Sequence, residues 1–274
     1  MKLILYCVEH YFYNGVNTIN SHRLILCSML INFLHDGLEV ISHPAHGLLA
    51  GKIADNIKDK LFVNHWLETM TAIIEHDDEQ ISHKAKKCIS KTGMPMDFTL
   101  NTIPVAKSFE HAKAVFEKVN NKSSWSALIL SHHLQFLYED TAKNHAEFSR
   151  FLNDLKRFRA EVCERYKVEP DRVSELYKIM IFADRLSLIL CQNQVPQLGR
   201  ELEINTSIDN KKYFISESDN GNLIVKPWPF KDQSFDLTLE CRLLSEIKFK
   251  DEDEFDAFLA KAPIKIKSWT VSRE

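Results

Sequence analysis

From Ile179 to Cys191 the chain reads Ile-Met-Ile-Phe-Ala-Asp-Arg-Leu-Ser-Leu-Ile-Leu-Cys, a nearly continuous apolar run with one carboxylate, Asp184, in its middle. Removing a carboxylate from water is costly unless a cation, a hydrogen-bond donor or a metal ion receives it. The fold must therefore bring a partner to Asp184, or pair it with Arg185 or a lysine. Three other apolar segments carry side chains able to serve. After Ser42-His43-Pro44, a helix-start sequence with Ser42 or His43 near the cap, His46 shares a helical face with Leu49, Ala50 and Ile53. The run Met70 to Glu75 delivers His76-Asp77, followed by Asp78 and Glu79. Ser123 to Tyr138 reads as a strongly apolar helix holding Ser131-His132-His133.

Taken singly, each of these has an ordinary structural explanation, as a hydrogen-bonded core histidine, a helix-end polar pair or an ion pair. Together they place imidazole and carboxylate on four separate helices, a donor mix that suits a borderline first-row metal. Adjacent helical residues point about 100° apart, so one of His132 and His133 is expected to be a ligand, with His133 favoured.

Composition narrows the remaining classes. Twelve histidines are slightly many, while seven glycines and the absence of G-x-x-x-x-G-K and G-x-G-x-x-G sequences argue against phosphate-cradling loops. A net charge of −3 gives no support for a nucleic-acid or anionic-membrane partner. The six cysteines contain no C-x-x-C pair, which fits reduced, buried thiols in a cytoplasmic protein. Neither N-terminal apolar run reads as a membrane span or a cleavable signal: the first is broken by Glu9-His10, and Leu24 to Leu34 is too short.

Residues 1–36 read as an N-terminal extension, helical or poorly ordered, and residues 37–195 as a helical domain. Within it, helices are expected after Pro44, over Phe62 to Glu75, Phe109 to Val119, Ser123 to Tyr138, Ala146 to Arg165, and from Asp171 to Leu188. The loop-rich stretch 80–106, with Lys84 and Lys87, is expected to cover that core. Beyond residue 196 alternating segments predict strands with a short helix at Asp251 to Ala260. Trp228, between two prolines, is expected to plug the strands against the helices. The fold class predicted is mainly α, a helical bundle with a small C-terminal antiparallel β appendage.

The order His46, His76-Asp77, Asp184 resembles the H…HD…D pattern of the HD superfamily of metal-dependent phosphohydrolases, helical bundles with ligands at their centre. The chain is also similar to an uncharacterised, largely bacterial family of unknown function with an HD-like pattern. That similarity rests on His43-Pro44-Ala45-His46-Gly47, His76-Asp77-Asp78, Gly93-Met94-Pro95-Met96-Asp97-Phe98, Leu130-Ser131-His132-His133, Ala183-Asp184-Arg185-Leu186-Ser187-Leu188 and Lys226-Pro227-Trp228-Pro229-Phe230. Lys226 stands where members carry Asp, and Glu79-Gln80 where they carry Gly-Trp.

The resemblance implies His46, His76, Asp77 and Asp184 as metal ligands, with His132 or His133 at a second ion. It implies one or two divalent ions (Mn, Fe, Zn or Mg) and hydrolysis of a phosphoester or nucleotide. Asp77 would bridge the ions, and Lys84, Lys87 or Arg185 would neutralise a phosphorylated small-molecule substrate. A di-iron oxygenase on the same ligands and a non-catalytic metal-binding module are the alternatives.

Overall fold

The computed structural model describes residues 25–26, 29–58, 63–77, 86–98 and 104–274. After a short strand β1 (Ile25–Leu26), β2 (Met29–Leu34) and β3 (Gly37–Ser42) form an antiparallel hairpin. Its alternate residues serve two cores. Leu30 and Ile41 enter the main one, while Met29, Ile31, Leu38 and Val40 join a second with Cys88, Leu244, Phe249 and Phe255. With both faces covered, the strands lose the polar alternation of a half-exposed sheet.

Strand β3 runs directly into α1 (His43–Asp55), whose Pro44 sits in the first turn. Then come α2 (Trp66–Glu75), the short strand β4 (Lys86–Lys87), and four longer helices. These are α3 (Val105–Lys122), α4 (Ser124–Ala142), α5 (Ala146–Tyr166) and α6 (Pro170–Cys191). The C-terminal part contributes β5 (Leu202–Thr206), β6 (Lys212–Glu217), β7 (Leu223–Lys226), β8 (Ser234–Leu244), α7 (Glu252–Lys261) and β9 (Ile264–Ser272).

Seven of the strands form one curled sheet in the order β2-β3-β8-β9-β7-β6-β5. It is antiparallel except where β7 meets β9 in parallel, at Leu223 and Val271. This overturns the expectation of a mainly helical, all-α bundle with a small β appendage. The sheet is a major layer, and it includes β2, in a segment expected to be helical or poorly ordered. Leu38, Glu39 and Val40 of β3 pair with Leu244, Leu243 and Arg242 of β8, closing a loop of about two hundred residues.

A buried polar knot fixes the sheet to the helices. Glu39, 6% exposed, accepts from Lys267 Nζ of β9 and Asn32 Nδ2 of β2, each at 2.8 Å. Asn32 also donates to the Cys191 carbonyl at the end of α6, 2.6 Å away. Burial alone would raise the Glu39 pKa, but Lys267 and the amide donors outweigh it and hold it below the ordinary value.

The helices carrying the candidate ligands pack pairwise: α1 on α2 and α6, α2 on α4, α4 on α6. Trp125, fully buried on α4, donates to Thr69 Oγ1 of α2 at 2.9 Å. Ser126 Oγ donates to the Glu68 carbonyl at 2.7 Å. Gly47 explains how closely α1 and α2 meet, because a Cβ there would lie 2.2 Å from the Ile74 carbonyl oxygen. The Trp228 ring packs on Phe230 at 5.0 Å and its Nε1 donates to the Asp232 carbonyl, while Lys58 N, just beyond α1, donates to the Pro229 carbonyl. Among the described residues no helix is long and apolar enough to cross a membrane.

Candidate metal centre

Four helices bring six ligand-type side chains to one point. His43 and His46 come from the first turn of α1, and His76 and Asp77 from the C-terminal end of α2. His133 comes from α4 and Asp184 from α6. They form three interlocking groups: His43, His46 and Asp77; His46, His76 and Asp184; His76, Asp77 and His133. Within each, the candidate ligand atoms lie within 4.8 Å of one another. The shortest separations run from His46 Nε2 to Asp184 Oδ1 (3.2 Å), from His76 Nε2 to Asp77 Oδ2 (3.2 Å) and to Asp184 Oδ1 (3.3 Å), and from His43 Nε2 to Asp77 Oδ2 (3.5 Å). Donors bound at about 2.1 Å to a common ion stand roughly 3.0–3.4 Å apart at octahedral to tetrahedral angles, so this spacing suits a shared cation.

Outer contacts fix the proton on two of the imidazoles and touch a third. His76 Nδ1 donates to the Ile73 carbonyl at 2.7 Å. Ser187 Oγ donates to the Asp184 carbonyl, so it is left to accept from His46 Nδ1, 2.8 Å away. His43 Nδ1 reaches the Asp77 carbonyl more loosely, at 3.4 Å. With Nδ1 protonated, a neutral ring turns a lone pair on Nε2 toward the carboxylates. Nε2 of His43, His46 and His76, Nδ1 of His133 and Oδ1 of Asp184 are all buried and have no hydrogen-bond partner among the described residues. Buried polar atoms without partners are rare, and this many converging lone pairs require positive charge among them.

A proton supplies part of that charge. Burial opposes charging His76, but Asp77 and Asp184 outweigh it and hold its pKa well above the ordinary value. Burial would raise both carboxylates, yet His76 first, with His43 at Asp77 and His46 at Asp184, holds them well below theirs. His43 is instead pushed down to about 4 by burial, and His133 is lowered for the same reason. One imidazolium at His76 cannot satisfy the lone pair of a neutral His43 3.5 Å from Asp77. The donor set therefore fits a divalent ion, and these His and Asp groups are positioned to bind one. Three imidazole side chains are fully buried, whereas Asp77 and Asp184 remain 20% and 19% exposed.

Of the residues singled out in the sequence, His46, His76, Asp77, His133 and Asp184 are brought together. His132 is not: its ring turns away and stacks on Tyr177, with centroids 5.7 Å apart. Arg185 is half-buried and has no ion pair among the described residues, and burial lowers its pKa although Asp184 partly offsets this. Lys84, Asp78, Glu79 and Gln80 lie outside the described residues, as does the Lys87 side chain. His43 joins the cluster although its sequence context reads as a helix cap. The spacing of three between His43 and His46, which puts both on one helical face, was the available signal. Phe98, from the expected cover, packs edge-on against the His43 ring at 4.3 Å.

These features define an α+β protein with a buried cluster of four histidines and two aspartates where its helices meet. Residues 29–246 match the family described as Protein of unknown function (DUF3891), and the chain belongs to that family. No curated protein and no solved structure matches it.

Proposed function

We propose that this chain is a metal-dependent hydrolase acting on a phosphoester or nucleotide, with ligands in the order H…HD…D. The observation that supports this most is the convergence of partnerless imidazole nitrogens on two ionised, partly exposed carboxylates. His46, His76 and Asp184 would hold one divalent ion. Asp77, common to the two other groups, would hold a second with His133 or His43. When bound, such ions supply Lewis acidity toward phosphoryl oxygens and lower the pKa of water.

The chain's own residues supply the rest. Ser187 and the Ile73 carbonyl hold two imidazoles in the liganding tautomer. The apolar walls of α1, α4 and α6 exclude bulk water, which strengthens every charge interaction inside. Arg185, a half-buried cation next to Asp184 in sequence, would offset charge on an anionic substrate.

The test is manganese-dependent release of phosphate from p-nitrophenyl phosphate and a nucleotide panel, compared with Asp184→Asn. Release that requires metal and is lost in the variant supports the reading. Stoichiometric iron with an oxygen-sensitive absorption band would replace it with the oxygenase alternative. Tightly held metal without turnover, lost together with thermal stability in His76→Ala, would make the site structural.

A further inference from the structure

Next to the His/Asp cluster lies a second set of polar side chains that contributes no ligand to it. Tyr177, on α6, stacks on His132 and meets the His133 ring edge-on at 6.2 Å. Its hydroxyl is buried and has no hydrogen-bond partner among the described residues. Tyr177 and Asp184 are seven residues apart on one helix, which places them on the same face two turns from each other.

Arg159, from α5, approaches the same place. Its Nη1 donates to the Ser131 carbonyl, one residue before His132, at 3.1 Å, and its Nη2 reaches Gln135 Oε1 only at 3.5 Å. No carboxylate pairs with it among the described residues. A guanidinium carries five N–H donors, so most of this fork is unspent, and its charge is felt at His132. His132 makes no hydrogen bond of its own among the described residues, and its ring lies against Tyr177.

Three helices thus bring together a guanidinium, a buried hydroxyl and an imidazole, the first without a carboxylate and the second without an acceptor among the described residues. Donors outnumber acceptors, and an exterior anion would satisfy them. Arginine's planar fork matches the oxygens of a phosphate group. A role confined to tying α5 to α4 needs only the Ser131 contact, and would leave Tyr177 Oη and the rest of the fork unexplained.

We propose that Arg159, Tyr177 and His132 form an anion-binding subsite beside the metal centre, where a phosphate group of the substrate is held. This rests on the phosphoester reading above. In it, Arg159 sets charge selectivity and Tyr177 donates a hydrogen bond to the same anion, on the His133 side of the cluster.

The test is titration of the manganese-loaded full chain with inorganic phosphate by calorimetry, with manganese affinity measured on every sample. Arg159→Gln should weaken phosphate binding by about tenfold or more, as expected for loss of charge-assisted hydrogen bonds. Tyr177→Phe should weaken it several-fold, and both should keep wild-type manganese affinity. Arg157→Gln, which removes an exposed charge from the same helix, should change neither. Unchanged phosphate affinity in Arg159→Gln with metal still bound overturns the subsite alone, as does an equal loss in Arg157→Gln. Failure of the wild-type protein to take up metal overturns the hydrolase reading and the subsite together. Should Arg159→Gln not fold, Arg159→Lys and Tyr177→Phe decide in its place: a loss in either supports the subsite, and wild-type phosphate affinity in both overturns it.

Discussion

Ser187 Oγ lies 2.8 Å from His46 Nδ1 while donating to the Asp184 carbonyl, also at 2.8 Å, so one hydroxyl orients a candidate imidazole ligand and anchors the helical turn of a candidate carboxylate ligand. Substituting Ser187 by Ala leaves His46 Nδ1–H unsatisfied and frees the ring to turn or change tautomer. Loss of such an outer partner weakens metal affinity by roughly 10–100-fold. Metal titration of Ser187→Ala should show that loss with little change in secondary structure. Wild-type affinity would mean that the hydroxyl does not orient a ligand.

The approach of α1 to α2 sets the distance between His46 and His76. In Gly47→Ala the new methyl would stand 2.2 Å from the Ile74 carbonyl oxygen, which is backbone and can yield only by moving a helix. In Gly51→Ala it would meet the Ile74 side chain at 2.6 Å, which can rotate. Overpacking typically destabilises by about 1–3 kcal/mol. Urea unfolding should place Gly51→Ala within that range and Gly47→Ala at its top or beyond, with metal affinity lost only in the latter. Equal effects would contradict a backbone clash.

Without metal, stability should fall on both sides of neutrality. His132 titrates at about 4 in the folded chain against an ordinary value of 6.5. Its neutral form therefore contributes stability above about pH 6.5, lost as pH falls toward 4. Replacing His132 by Gln should flatten that acid limb. His76 behaves oppositely: its raised pKa contributes stability below 6.5, lost as pH rises through the folded value. Added metal, which replaces that proton, should restore alkaline stability. Thermal melting against pH in chelator and in manganese checks both signs; parallel curves would contradict the His76 assignment.

Lys267→Met would leave the Glu39 carboxylate buried without its cation, while Asn32 and Asn193 remain as donors. Breaking a buried pair from one side costs about 3–5 kcal/mol. The double variant with Glu39→Gln should recover much of that loss in a denaturant series. Additive losses would show that the two side chains do not act as a pair.

The helices were legible because each buries one face or is apolar throughout. Asp184 stood out because a carboxylate so placed needs a partner, and the structure brings His46 and His76 to it. Strand β2 was not legible for a related reason. Met29 to Ile31 is covered on both sides, so its period of two is hidden in a short apolar run. Nor does local patterning reveal that β3 pairs with β8, a contact spanning most of the chain. His43 was read for its position before proline, where capping and liganding make the same demand on the sequence. Arg159 and Tyr177 carry no motif; only the packing of α5 and α6 on α4 shows them beside His132.

The most direct test of the account is a crystal structure of the protein grown with manganese, with anomalous scattering recorded at the metal edge. The account predicts a peak within about 2.0–2.3 Å of His46 Nε2, His76 Nε2 and an Asp184 oxygen, lost in Asp184→Ala. An anomalous map without a peak among these side chains at saturating manganese would contradict it.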